Sequence, residues 1–220
     1  MNPTMPGISH HLTDDLLMAY AADTLPEAFT LVVATHISLC DDCRARLGAF
    51  EAVGGELLGQ GEVAPMSEAS LDTALARIAG LAPEARPPRP EPLAKDAFPA
   101  PLSDYARDAS HVRWRPLGMG VKQAILPTSK AATVRLLHIP GGVAMPDHGH
   151  RGMELTLVLS GAFRDEEERF GPGDIEIADE AVEHMPVAEP GAPCICLAAT
   201  DAKLRFTALI PRLVQPFFRI

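Results

Sequence analysis

Residues 142–161 read GVAMPDHGHRGMELTLVLSG, opening on Gly142 and closing on Gly161. His148 and His150 are two apart, so both side chains leave the same face of an extended strand, and Glu154 keeps their parity if the strand runs on. Gly161 marks the next turn. Further along, Gly171-Pro172-Gly173-Asp174 is a tight turn between strands, and His184, in VEHMP, is placed to add a fourth ligand from a neighbouring strand. Three imidazoles and one carboxylate suit zinc, iron, manganese, nickel or copper, and the spacing does not choose among them. A surface strand could carry HGH by chance, but the full spacing argues against that.

The surroundings of this stretch are β in character. VRLLHIP, DIEIAD and CICLAA are short runs of β-formers between Gly and Pro turns, which points to a β-sandwich or barrel over residues 103–220. Cys194 and Cys196 share one face of a strand and read as small buried apolar residues, a redox or metal-adjacent role being the alternative. His111 and His138 lack comparable partners and read as ordinary loop or strand histidines.

Working back toward the N-terminus, residues 81–102 hold seven of the chain's 21 prolines. Such a stretch cannot keep a helical ladder and favours extended geometry, so it is expected to act as a semi-rigid spacer. Charge divides at the same place. Residues 1–80 carry 11 Asp and Glu against 3 Lys and Arg, while the other 140 residues carry 18 against 16. Most of the net charge of −10 therefore belongs to the N-terminal unit, which makes the chain a poor candidate for gripping phosphate backbones. At 47% hydrophobic and 22% charged the composition is globular, with no apolar run near membrane-spanning length and no basic-then-apolar leader. The expectation is a cytoplasmic protein that engages neither membrane nor nucleic acid.

The acidic unit reads as helical. Thr13 is a suitable N-cap for DDLLMAYAA, and LPEAFTLVVATHISL follows with Pro26 near its start. DDCRARLGAFEAVGGELL is expected to end near Gly54-Gly55. In SEASLDTALARIAGL, residues Leu71, Leu75, Ile78 and Ala79 fall on one helical stripe. That stripe suits either the unit's own core or a groove on a partner protein. Eighty residues of short helices make a marginal core, so a staple is expected.

His36, Cys40 and Cys43, in HISLCDDC, are the candidate staple. Two thiolates and an imidazole are donors that zinc prefers, and a tetrahedral ion needs one more. His10 and His11 stand just ahead of the first helix, and sequence geometry does not choose between them. A closed four-ligand site is structural and leaves no open position for catalysis. A redox CxxC, usually set between a strand and a helix, or a pair of inert buried thiols, are the alternatives.

These residues carry a resemblance. The pattern GxxxxxHxHxxxExxxxxxG, followed by PGD and a later His, resembles the two motifs of the cupin β-barrel. The His…HxxxCxxC pattern on short acidic helices resembles the zinc-binding anti-sigma (ZAS) domain. In this order the two are similar to the ChrR-type zinc-binding anti-sigma factors. HHLTDDLLMAYAADTLPEAF, LVVATHISLCDDCRAR, MPDHGHRGMELTLVLSGAFRDE and LVQPFFRI carry the likeness across essentially the whole chain.

The resemblance implies a two-domain α plus all-β fold. Residues 1–80 would be the zinc-binding helical anti-sigma domain, 81–102 a Pro-rich linker, and 103–220 the cupin, a double-stranded β-helix. It implies two zinc ions, one on His11, His36, Cys40 and Cys43 and one on His148, His150, Glu154 and His184. It further implies a non-enzymatic regulator that holds an extracytoplasmic-function (group IV) sigma factor inactive as a 1:1 complex. The cupin would sense singlet oxygen or related oxidants and trigger release. Leu71, Leu75 and Ile78 are the candidate contact residues. Two alternatives stand beside this reading: a metal-dependent cupin dioxygenase or isomerase carrying a zinc-stapled helical interaction domain, and a zinc-containing DNA-binding regulator.

Overall fold

Thr13 caps the first helix as its side chain allows. Its hydroxyl accepts the Leu16 N–H at 3.3 Å, and Asp14 and Asp15 fill the first turn, where the helix dipole favours carboxylates. The computed structural model describes residues 7–81 and 98–206. The helices are α1 (Asp14–Ala21), α2 (Glu27–Leu39), α3 (Asp41–Gly59), α4 (Ser70–Ala79) and the single turn α5 (Leu102–Tyr105). The strands are β1 (Arg115–Gly118), β2 (Val121–Ile125), β3 (Thr133–Ile139), β4 (His148–Gly149), β5 (Glu154–Ser160) and β6 (Phe163–Arg164). They continue as β7 (Arg169–Phe170), β8 (Ile175–Ala178), β9 (Glu183–His184), β10 (Val187–Ala188), β11 (Cys194–Thr200) and β12 (Arg205–Phe206).

A helical N-terminal part thus precedes a cupin-like sheet part. Among the described residues, six strands form one sheet in the order β1-β2-β3-β11-β5-β8, beside two three-stranded sheets, β10-β6-β7 and β12-β4-β9. Paired strands run antiparallel throughout. The central strands of the large sheet, β3, β11 and β5, are buried on both faces, and their residues divide by parity. Along β5, Glu154 and Thr156 line a cavity between the sheets, whereas Leu155 and Leu157 join the apolar cluster on the other side. β11 divides in the same way, with Cys196 and Ala198 toward the cavity and Leu197 and Ala199 away from it.

α2 covers that second face. Phe29, Leu31, Val32, Val33 and Ile37 share one continuous apolar cluster with Val134, Leu136, Leu155, Leu157 and Leu197. Each fully buried side chain of this kind contributes about 1.5–3 kcal/mol. Glu27, in the first turn of α2, adds polar ties, accepting from the Tyr105 hydroxyl at 2.9 Å and the Ser129 N–H at 2.7 Å.

Two sequence expectations shift. α3 does not stop near Gly54-Gly55 but runs to Gly59. A glycine ends a helix by taking a left-handed conformation, and neither of these does. As exposed interior residues they cost only about 1 kcal/mol each relative to alanine. Within the stretch read as a spacer, residues 82–97 lie outside the described residues, but Phe98 and Leu102 are 7% and 0% exposed and belong to the shared cluster. The segment LVQPFFRI also lies outside the described residues.

Candidate functional site

α2 ends at Leu39, Cys40 leaves helical geometry with φ −107° and ψ 110°, and α3 starts at Asp41. This corner gathers His36 from the last turn of α2, Cys40 at the bend and Cys43 from the first turn of α3. The Cys40 thiol also caps α3, accepting the Cys43 N–H at 3.4 Å. The segment ahead of α1 brings His11 to the same point, and Arg46 holds that segment by donating to the Leu12 carbonyl at 2.9 Å. His11 Nδ1 lies 3.2 Å from Cys40 Sγ and 3.8 Å from Cys43 Sγ, and His36 Nε2 lies 3.3 Å from Cys43 Sγ. Tetrahedral zinc with bonds of about 2.0–2.3 Å separates its ligands by about 3.3–3.8 Å. The donor set and its spacing fit that ion. His10 goes elsewhere: its ring packs on Phe170 at 4.4 Å, with Nε2 3.1 Å from Glu168.

Burial dominates the electrostatics of this cluster. It lowers the His36 pKa to about 4, against the opposing pull of the Gly173 carbonyl. It pushes the Cys43 thiol up to about 11, aided by the neighbouring Cys40. An imidazole held neutral keeps its lone pair available, while the thiol must lose its proton when a metal binds.

A pH dependence follows for the metal-free chain. Between pH 6.5 and about 4 the unfolded chain protonates His36 and the folded chain does not. Stability therefore rises with pH across this window and is lost as the pH falls through it, by up to roughly 3 kcal/mol. Urea unfolding of the metal-stripped chain at several pH values should show the slope, and His36→Asn should flatten it. An unchanged slope in that variant would assign the effect to other groups.

The second cluster is set by strand register. β4 pairs with β9 so that His148 stands opposite His184. His184 Nε2 lies 3.3 Å from both His148 Nε2 and His150 Nε2. Each Nδ1 faces an oxygen: the Pro146 carbonyl accepts from His148 at 2.8 Å, and Glu154 lies 3.7 Å from His150. Glu176 lies 2.9 Å from His184, an ionic contact poorly aligned for a hydrogen bond. The Pro146 bond fixes the tautomer of His148, and the Nε2 atoms of the three rings converge, as a metal site requires. Burial lowers the His148 and His150 pKa values against the charge of Glu154. At His184 burial also lowers the value, but the carboxylates of Glu176, Glu154 and Asp165 together outweigh it and the net shift is upward.

Glu154 stands beside the imidazole trio, not within it. Its other oxygen accepts the Thr156 hydroxyl at 3.1 Å, and its side chain lines the cavity. Glu176, which with Asp165 forms an overlapping group on His184, is absent from the sequence-derived ligands. The only signal for it is parity, a lone carboxylate on the cavity side of IEI. The cavity, about 270 Å³, is also lined by Arg135 and by apolar side chains that include Leu137, Ile139, Met145, Phe163 and Phe206. Cys196 also faces it, 3.5 Å from Cys194. The hydrogen bond between these thiols, then burial, drives the Cys196 pKa up, so it is an inert thiol at neutral pH.

The stripe on α4 closes no core among the described residues. Leu71, Leu75 and Ile78 are 67%, 54% and 64% exposed, and no residue of α4 is buried. Val53, Leu57, Leu58, Val63 and Met66 extend this apolar exposure back along the chain. The sequence reading missed them because exposure depends on what packs nearby. No helix among the described residues is long and apolar enough to cross a membrane.

Comparison with known proteins places this geometry. The family model of the ChrR cupin-like domain matches residues 103–203. The anti-sigma-E factor ChrR of Cereibacter sphaeroides is 62% identical over 214 residues, covering 97% of this chain and 99% of that protein. The crystal structure of Rhodobacter sphaeroides SigE in complex with the anti-sigma ChrR contains a chain 60% identical to this one. It matches with a TM-score of 0.76 over 89% of this chain and 100% of its own.

Proposed function

The chain belongs to the ChrR family of anti-sigma factors, and from that membership we propose that it binds a group IV sigma factor one to one and holds it inactive. The exposed apolar row on α4 is the observation that carries this reading, because an amphipathic helix with no face buried is built for a groove on a partner. Its acidic setting complements the basic surface of a DNA-binding sigma factor and speeds encounter. Covering the sigma surface that meets RNA polymerase silences it without catalysis, in the cytoplasm where transcription takes place. The likeness to an anti-sigma factor along nearly the whole chain leaves the enzyme and DNA-binding alternatives without support.

We assign zinc to both clusters. In the helical part, His11, His36, Cys40 and Cys43 hold it as a structural staple. In the cupin, His148, His150 and His184 hold it, with Glu154 moving in as the fourth ligand. The cupin centre is read as the sensor for singlet oxygen or related oxidants, and residues 1–80 and 103–220 as the binding and sensing units joined by 81–102.

Reconstitution tests the reading. The full chain mixed with its sigma factor should form a 1:1 complex on gel filtration and suppress transcription from a sigma-dependent promoter. Absence of a complex, with both metals bound, would overturn it. His148→Ala should keep inhibition within about twofold and blunt release by photogenerated singlet oxygen at least tenfold, a loss on the scale seen when metal sites are damaged. Constitutive release by that variant would remove the sensor assignment.

A further inference from the structure

The turn between β7 and β8 was read as a mere strand connection, yet it reaches across to the other metal cluster. His36 Nδ1 donates to the Gly173 carbonyl at 3.0 Å, across 137 residues of sequence. The Asp174 carboxylate accepts the Ser9 N–H at 2.6 Å and the His10 N–H at 3.0 Å through one oxygen, and the Gly171 N–H at 2.8 Å through the other. Ile175 N–H reaches the His10 carbonyl at 3.4 Å. Gly173 has φ +91°, and a Cβ there would come within 2.7 Å of the Ile8 side chain, so the strap before α1 lies directly on the turn. Burial raises the Asp174 pKa, but these N–H donors together with the His10 ring outweigh it and hold the group ionised.

We propose that the Gly171–Asp174 turn of the sheet is a positioning element of the His11, His36, Cys40 and Cys43 metal site. The proposal rests on the reading that this cluster holds a metal. Gly173 fixes the ring of His36 so that Nε2 points at Cys43. Asp174 fixes the two residues ahead of His11 and so sets where its Nδ1 arrives. The doublet His10-His11 is divided between the two parts, the first packed on the sheet and the second among the thiols. Residues 173–176 touch both clusters, Gly173 at His36 and Glu176 at His184.

Cobalt separates the two sites. Sulfur ligands occur only in the N-terminal cluster, so the thiolate-to-cobalt charge-transfer absorption of the full-length chain reports that site alone. Loss of this band to excess chelator should be about 10–100-fold faster in Asp174→Ala than in the wild type, the usual effect of removing an outer-shell partner. Asp174→Asn, whose one acceptor oxygen can still take the Ser9 and His10 N–H groups but whose NH2 then opposes the Gly171 N–H, should recover part of the difference. Ser9→Pro deletes one donor to Asp174 without touching the sheet and should accelerate release in the same direction. Cobalt retained by the cupin, counted by metal analysis, verifies that each variant is folded. If Asp174→Ala also loses the cupin metal, Ser9→Pro decides the matter. Wild-type release rates in a folded variant would overturn the proposal, and a wild-type chain with no thiolate band would overturn the metal reading beneath it.

Discussion

Cys43→Ala, or exhaustive chelation of the wild type, should abolish the sigma complex while leaving the cupin sheet folded. The energetics favour a partial rather than a global collapse. A structural zinc of this donor type contributes about 10–16 kcal/mol of apparent binding free energy, comparable to or above the whole stability of an ordinary domain. α2 has a second source of support in Leu31, Val32 and Val33, which are no more than 3% exposed within the cluster shared with the sheet. α1 and the start of α3 have less. Leu16 and Leu17 are the buried residues of α1, and Cys43 and Leu47 those of α3, of which Cys43 is itself a member of the metal cluster. Without the metal, His36 and the two thiols become buried polar groups lacking their intended partner, which costs further stability. The expected result is loss of part of the helical circular dichroism and sigma affinity reduced beyond detection at micromolar concentration, with the cupin of the Cys43→Ala chain still retaining its metal. A Cys43→Ala chain that still co-elutes with sigma would place inhibition elsewhere.

The two clusters were legible to different degrees, and the reason is distance along the chain. HxxxCxxC is local: seven residues across a helix corner bring three donors together whatever the rest of the protein does. His148 and His150 are equally local, and their shared parity survives in the structure. His184 comes from another strand, yet the turn signals between the strands were strong enough to place it. Glu154 kept its parity but stands behind His150, because β5 begins at Glu154 and β4 ends at Gly149, so the strand does not run on between them. Spacing alone did not choose between His10 and His11, and only the resemblance gave His11, because the contact that holds His10 on the sheet comes from Asp174, 164 residues away.

The sheet shows the same divide. β5 reads ELTLVLS, an alternation broken only at Val158, but its polar residues Glu154 and Thr156 line a cavity and its leucines lie under α2. The apolar face pointing away from the barrel interior signals a cover, and the sequence carried that signal without naming the cover. Prolines at 83–101 argued for separated parts, while burial of Phe98 and Leu102 depends on the tertiary surface they meet.

α4 supplies the sharpest remaining test, because its two readings predict opposite couplings between stability and affinity. If Leu71, Leu75 and Ile78 served the chain's own core, a buried carboxylate there would destabilise the free protein by several kcal/mol. Side chains already 54–67% exposed lose almost nothing, and Leu75→Asp combined with Ile78→Asp should leave free-chain stability within about 0.5 kcal/mol of wild type. The cost should appear in the complex. A central apolar anchor in a protein groove contributes about 2 kcal/mol or more, roughly thirtyfold in affinity, so the double variant should bind sigma at least a hundredfold more weakly. A ten-residue helix with no buried face is also marginal by itself. Its amide hydrogens should exchange rapidly in the free chain and become protected in the complex. A double variant that loses stability and affinity together would return the stripe to the core, and one that loses neither would move the sigma contact onto Val53, Leu57 and Leu58 at the end of α3.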